Sequence, residues 1–129
     1  MGPLDQREKG QRMLMQLQGS EAMNEVLSAV KEVFPDFWEM MQEHLYGDIW
    51  MRPGLSVRDR ILITMAALIA LKYTDGIKDQ MRYALNNGIP REEILEVIIH
   101  MTQYAGYAAG VNAIFAARDF FASEDESRK

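Results

Sequence analysis

A glutamate and a histidine four residues apart form the most chemically suggestive pair in the sequence. Glu96 and His100 share one face of a predicted helix, because residues four apart are neighbours on a helix surface. Such a pair can perform general acid–base catalysis, with the carboxylate orienting the imidazole. Tyr104 borders the same face. The pair is also compatible with a solvated or intersubunit contact, or with a metal site in which His44 is the third ligand.

Two arginines lie in the first turn of a predicted apolar helix. Arg58 and Arg60 could clamp a substrate carboxylate, because a guanidinium forms two parallel hydrogen bonds with a carboxylate. Ion pairs with Asp59 or Asp48, or a contact between subunits, would use the same residue type equally well.

The aromatic residues Trp50 and Tyr73 lie near predicted loops, where each could line a substrate site. Packing in a core or an interface is the alternative for both. The methionines fall mostly at apolar helix positions, which is typical of adaptable packing.

The composition excludes several classes of function. The chain has no cysteine, so thiol peroxidase, disulfide exchange and thiolate–zinc chemistry are impossible. Its net charge of −5 is unsuited to nucleic-acid binding, which needs a basic surface. The longest apolar run, Ile61 to Leu71, is about half of the ~20 residues that span a bilayer. Because no apolar leader is visible near the N-terminus, we expect a cytoplasmic protein that does not enter a membrane. We also expect no metal site, because the candidate ligands have no recognisable metal-binding spacing.

Helical periodicity dominates the chain, and strand patterns are nearly absent. We predict an all-α bundle of six to seven helices in one domain over residues 1–129, with a peripheral segment at 1–19 and a frayed tail at 123–129. The predicted helices are Leu4 to Leu17, Ser20 to Phe34, Pro35 to about Trp50, Val57 to about Tyr73, Ile77 to Asn87, Pro90 to Ala105, and Ala108 to Phe121.

Local signals set the predicted boundaries of these helices. Ser20 is expected to cap the second helix, whose apolar face would include Met23, and the segment Thr74-Asp75-Gly76 is expected to provide a cap for the fifth. Gly88 is expected to end the fifth helix in a left-handed conformation, and Pro90 to occupy the first position of the sixth.

The fourth predicted helix is apolar on nearly all sides. From Ile61 to Leu71 its only polar residue is Thr64. Such a helix must be enclosed by other helices or by another subunit. Together with the small residues of the last helix, this pattern predicts a homo-oligomer.

Three sequence blocks resemble the carboxymuconolactone decarboxylase family. They occur in the family's order and spacing between about Phe34 and Phe121. The blocks are YGDIWMRPGLS at 46–56, followed by Arg58 and Arg60; ALNNGI at 84–89, followed by REEI at 91–94 and by Glu96-Val97; and Tyr104-Ala105-Gly106, followed by a helix of small residues.

This resemblance implies an all-helical fold of the alkylhydroperoxidase D type. It also implies a ring-like homo-oligomer, commonly a hexamer built as a trimer of dimers. The implied reaction is the loss of CO2 from a carboxylated muconolactone to give an enol-lactone in aromatic catabolism. A substrate with its own electron sink needs no cofactor. The partners that the resemblance implies are a small-molecule substrate and further copies of the chain.

The sequence departs from the family at positions that carry chemistry. Decarboxylases of the family have a histidine eight residues before the glycine of the Asn-Asn-Gly turn, and here that position is Gln80. Glutamine can hydrogen-bond a carbonyl or a carboxylate but cannot transfer a proton near neutral pH. The cysteine positions of the peroxidase branch are Tyr73 and Gly76, and the proline that usually follows the Tyr-x-Gly element is Ala108.

Two hypotheses follow from the sequence. In the first, the protein is a cofactor-independent decarboxylase of a small carboxylated lactone. Gln80, His100, Glu96 and Tyr104 would then be catalytic, and Arg60, Arg58, Trp50 and Tyr73 would bind the substrate. In the second, the change at Gln80 marks a divergent member with another small-molecule activity, or with a non-catalytic role in ligand binding or assembly.

Overall fold

A computed structural model describes residues 2–20 and 24–129 of the chain. These ranges contain seven α-helices, one π-helix and one 3-10 helix, and no β-strand occurs within them. The all-α prediction is therefore confirmed. The chain forms two compact units, Met1–Val57 and Arg58–Lys129.

The first unit contains α1 (Pro3–Gln18), α2 (Glu25–Val33), α3 (Pro35–Met40), a π-helix (Met41–Tyr46) and a 3-10 helix (Ile49–Met51). Met13, Leu14 and Leu17 are all buried and form the inward face of α1. Leu27, Trp38, Tyr46 and Trp50 are also buried in this unit.

Two predicted features of the first unit are wrong. The cap of α2 is Asn24 rather than Ser20, because the Asn24 side chain accepts a hydrogen bond of 2.8 Å from the amide of Leu27. Met23, which was expected on the same helix, lies outside the described residues. The predicted third helix ends as an α-helix at Met40 and continues as the π-helix, in which the amide of Gly47 donates to the carbonyl of Gln42.

The second unit contains four helices. The first of them, α4, begins at Val57, which is the last residue of the first unit. They are α4 (Val57–Leu71), α5 (Thr74–Asn86), α6 (Arg91–Ala105) and α7 (Tyr107–Ser127). Helix α7 packs against both α5 and α6, and its small residues Ala109, Gly110, Ala113, Ala116 and Ala117 are buried.

Three helix boundaries in the second unit differ from the prediction. Thr74 is the first residue of α5 rather than its cap, and its hydroxyl lies 3.4 Å from the side-chain oxygen of Asn112. Pro90 precedes α6 as its N-cap. Helix α7 extends beyond Phe121 through Ser127, and within this extension Asp125 pairs with Arg91 at 2.6 Å.

The prediction for Gly88 is confirmed. Its φ of +82° is in the left-handed region that favours glycine, and the amide of Ile89 closes the helix end by donating to the carbonyl of Ala84. This ending fixes where α6 begins, and therefore which of its residues face outward.

Helix α4 is enclosed on one side only within the single chain. Ile61, Met65 and Ile69 are buried, whereas Ile63 and Leu71 on other faces are more than half exposed. The chain's own helices therefore do not enclose α4 completely. That another subunit covers the exposed face of α4 stays a prediction.

Candidate functional site

Helices α4 and α6 border an open groove of about 560 Å³ in the second unit. Leu62, Ile63 and Ala66 of α4 form one apolar wall. The α6 side is formed by Glu93, Glu96, Val97, His100 and Met101. The groove therefore combines a mainly apolar surface with two carboxylates and one imidazole, all three positioned by the regular spacing of α6.

The predicted pair Glu96 and His100 lies in this groove, on one exposed face of α6. Among the described residues, however, no hydrogen bond joins the two side chains. The imidazole instead packs against the ring of Tyr104, with 5.0 Å between the ring centroids and a tilt of 36°. Tyr104 is 78% exposed, so the phenol and the imidazole are both accessible to a ligand.

Arg58 is tied to the groove through Glu93. Its Nη2 donates a hydrogen bond of 2.6 Å to Oε1 of Glu93, and both side chains are nearly half exposed. The partner is thus neither Asp59 nor Asp48. An ion pair this exposed contributes at most about 1 kcal/mol, so a substrate carboxylate can compete for the guanidinium. Arg60 lies two residues further along α4 and is half-buried.

Gln80 lies on the buried face of α5, beside Ile77, Met81 and Ala84 along the helix. It is only 7% exposed, and its carbonyl oxygen Oε1 is buried without a hydrogen-bond partner. A buried polar atom left unpaired costs about 1–3 kcal/mol, so a ligand that donated a hydrogen bond to Oε1 would recover this free energy. Gln80 is not among the residues that line the α4–α6 groove.

A second unpaired polar group, absent from the sequence-based candidates, occurs on α7. Nδ2 of Asn112 is buried without a partner, while its Oδ1 is the atom approached by Thr74 of α5. Because α5 packs on α7, the buried face of the second unit carries polar groups on both helices. The sequence signal was available, since Asn112 is the one polar side chain between Ala108 and Ala117.

Asp79, the neighbour of Gln80, is a further candidate that the sequence analysis missed. Burial raises the pKa of the Asp79 carboxyl, although the guanidinium of Arg82, 3.0 Å away, acts in the opposite direction. A carboxyl group that holds its proton to a higher pH is better suited to donate it. The i, i+3 spacing of Asp79 and Arg82 suggested only a surface pair.

The two remaining predicted aromatic residues have different environments. Tyr73 precedes α5 and is half exposed, so its hydroxyl is available in the second unit. Trp50 is buried in the core of the first unit, as its packing alternative implies.

The described ranges contain no group of three or more His, Asp or Glu residues that could hold a metal ion, and the proposed set of Glu96, His100 and His44 is not found. No helix in the described part of the chain is long and apolar enough to cross a bilayer.

The fold and these polar residues define a small all-helical protein of a recognisable class. Residues 35–119 match the carboxymuconolactone decarboxylase family. The chain belongs to this family, and since it contains no cysteine it is not a thiol peroxidase.

Three relatives indicate the chemistry found among similar proteins. The chain is 32% identical to 4-carboxymuconolactone decarboxylase of Acinetobacter baylyi, over 91% of this chain and 88% of the relative. It is 27% identical to nitrosuccinic acid decarboxylase of Metarhizium robertsii, over 86% and 78% of the two chains. An uncharacterized 15.0 kDa protein of Paracoccus denitrificans is 30% identical, over 78% and 76%.

Proposed function

We propose that this protein is a cytoplasmic, cofactor-independent decarboxylase of a small carboxylated molecule, with a carboxylated lactone of aromatic catabolism as the first candidate substrate. Two relatives named for their substrates, 4-carboxymuconolactone and nitrosuccinic acid, support the reaction type. Both substrates have a carboxylate and an electron-accepting group. We therefore infer that this combination, rather than a particular ring, is what the site requires.

The observation that carries the proposal is the arrangement of charge along the α4–α6 groove. Arg58 reaches the groove at Glu93, and the imidazole of His100 lies seven residues further along α6. Seven residues of helix correspond to roughly 10 Å, which suits a small molecule that is anchored at one end and protonated near the other.

The reaction needs three contributions from these residues. The bond between the carboxylate and its carbon breaks, CO2 leaves, and the electron pair moves onto the substrate's own acceptor. Arg58 or Arg60 would hold a carboxylate, and a hydrogen-bond donor would stabilise the developing charge. His100, assisted by Glu96 and covered by Tyr104, would then supply a proton to carbon. Tyr73, which is half exposed, stays a candidate for substrate contact, whereas Trp50 has no part in this proposal because its side chain is buried in the first unit.

Gln80 has a separate part in the proposal, because it lies outside the groove lining. Its amide can donate or accept a hydrogen bond but cannot carry the proton that a histidine would carry. A burial this complete also favours the alternative, a divergent member that binds a small ligand or acts in assembly without catalysis. The variant Gln80→His tests this position: a change in CO2 release would support a part for residue 80 in the reaction, whereas unchanged release would favour a structural role.

We also propose that the protein works as a homo-oligomer, with a hexamer built as a trimer of dimers as the expected form. Large apolar side chains of α4, α6 and α7 are exposed in the single chain, including Ile63, Ile99, Ile114 and Phe115. A surface with this many exposed apolar groups favours association. Light scattering at micromolar concentration should give a mass several times 14.8 kDa, and a monomer would contradict the assembly.

Kinetics with matched variants test the groove assignment. His100→Gln should lower kcat about 100-fold or more, the usual contribution of a general acid, while His44→Gln is the control at the chain's other histidine. Arg58→Gln should raise KM about tenfold or more, and Arg118→Gln is the control at another arginine paired with a carboxylate. Variants at His100 and Arg58 as active as their controls would overturn the groove as the active site.

A further inference from the structure

The first unit contains a cavity that the proposed reaction does not use. It has a volume of about 640 Å³ and is lined by residues of α1, α2, α3 and the π-helix. This volume is within the range of about 300–1,000 Å³ that is typical of sites for small molecules. The residues that give it chemical character are Glu8, Gln11, Arg12, Lys31, Trp38 and Gln42.

One wall of this cavity is held by close backbone contact. A Cβ atom at Gly10 would collide with the backbone carbonyl of Gln42, so α1 approaches the π-helix at this point as only glycine permits. Next to it, Nε of Arg7 donates a hydrogen bond of 2.6 Å to Glu43. The backbone that carries Gln11 and Gln42 is therefore held in place on this wall, and their amide side chains are among those that line the cavity.

The described residues that line the cavity carry more positive than negative charge. Among them, Arg12 and Lys31 are cations and Glu8 is the one carboxylate. Arg12 and Glu8 are 3.8 Å apart and more than two-thirds exposed, so their ion pair is weak. An anionic ligand can therefore contact Arg12 at a small cost in free energy. The positive charge of this lining contrasts with the net charge of −5 of the whole chain.

The interior of the cavity is apolar and aromatic. Trp38 and Leu14 line it and are 6% and 5% exposed, and Met15 adds a thioether. A flat ring can stack on an indole and make favourable contacts with sulfur. The cavity thus offers a surface for a ring and, around it, cations and amide donors for an anionic group.

We propose that this cavity is a binding site for a small aromatic carboxylate, separate from the α4–α6 groove. The carboxylate would contact Arg12 and Lys31, with hydrogen bonds from Gln11 or Gln42, and the ring would lie against Trp38. The proposal requires both ring and charge, because the lining combines the apolar side chains of Leu14, Met15 and Trp38 with the cations Arg12 and Lys31. This proposal does not depend on the decarboxylase activity.

The test uses fluorine NMR of the full chain labelled with 5-fluorotryptophan. The chain has two tryptophans, Trp38 and Trp50, and the variant Trp50→Phe assigns their two resonances. Benzoate should shift the Trp38 resonance saturably. Benzyl alcohol, which has the ring without the charge, and acetate or inorganic phosphate, which have charge without the ring, should each bind roughly tenfold more weakly.

Variants then locate the anionic group. Arg12→Gln and Lys31→Gln should each weaken benzoate binding about twofold to fivefold, because each removes one exposed cation. Arg118→Gln, at an exposed arginine of the second unit, should leave it unchanged. The Trp50 resonance and the melting temperature report whether each variant is folded. The proposal is overturned if benzoate leaves the Trp38 resonance unmoved or if benzyl alcohol binds as tightly as benzoate. It is also overturned if a variant that combines Arg12→Gln with Lys31→Gln binds benzoate like the wild type.

Discussion

Helix α7 approaches α6 closely at Gly110, and substitution of this glycine gives a quantitative test of the second unit. A Cβ atom there would collide with the hydroxyl of Thr102 and lie 3.0 Å from the Thr102 Cβ. Thr102 cannot easily move aside, because it is β-branched and its Oγ1 donates a hydrogen bond of 2.7 Å to the carbonyl of Ile98. Gly110→Ala gains about 1 kcal/mol of helix propensity and costs about 1–3 kcal/mol through overpacking. We expect a net destabilisation of up to about 2 kcal/mol.

A double-mutant cycle isolates this contact. Thr102→Ala removes the hydroxyl and the methyl group but keeps the Cβ atom 3.0 Å away, so in that background Gly110→Ala should be clearly less destabilising than in the wild type and close to neutral. Urea unfolding of the four proteins at one protein concentration gives the coupling energy. Ala122→Gly, at an exposed position of α7, calibrates the helix-propensity term. Equal effects of Gly110→Ala in both backgrounds would refute the close packing of α6 on α7.

Two further predictions concern stability against pH. Because burial raises the pKa of Asp79, the protonated carboxyl stabilises the native state fully at pH values below the pKa that Asp79 has in the unfolded chain. This contribution is lost as the pH rises through the pKa of Asp79 in the folded protein. Asp79→Asn should therefore be more stable than the wild type at neutral pH but not at acid pH, and thermal unfolding across this range checks it; a constant difference would contradict the cause. The hydrogen bond from Arg91 lowers the pKa of Asp125, so that pair stabilises above the unfolded pKa and fails as pH falls through the folded pKa. Asp125→Asn should be slightly less stable than the wild type at neutral pH and equal to it in acid, whereas a deficit that persists in acid would show a packing effect.

Most of the helical architecture could be predicted from the sequence because it depends on local signals. The period of apolar residues identified the helices, and Gly88 and Gly106 marked two ends correctly. The π-helix after Met40 could not be predicted, since a register change of one residue leaves the apolar pattern nearly intact. The cap of α2 is Asn24 rather than Ser20. The sequence offers more than one polar residue that could cap this helix, and it does not show at which of them the helix begins.

The candidate site was predictable along a helix but not between helices. The four-residue spacing placed Glu96 and His100 on one face, and the groove contains both. The partner of Arg58 was not predictable, because Glu93 is 35 residues away and their contact depends on how α4 meets α6. The burial of Gln80 and the unpaired Asn112 likewise follow from tertiary packing, which a single sequence does not encode locally.

Release of CO2 by the purified wild-type protein, measured with carboxymuconolactone and then with nitrosuccinate, tests the central claim most directly. We predict steady-state turnover of at least one of the two, with a kcat of about 1 s⁻¹ or more. CO2 release no faster than in the protein-free solution, for both compounds at saturating concentration, would contradict the account.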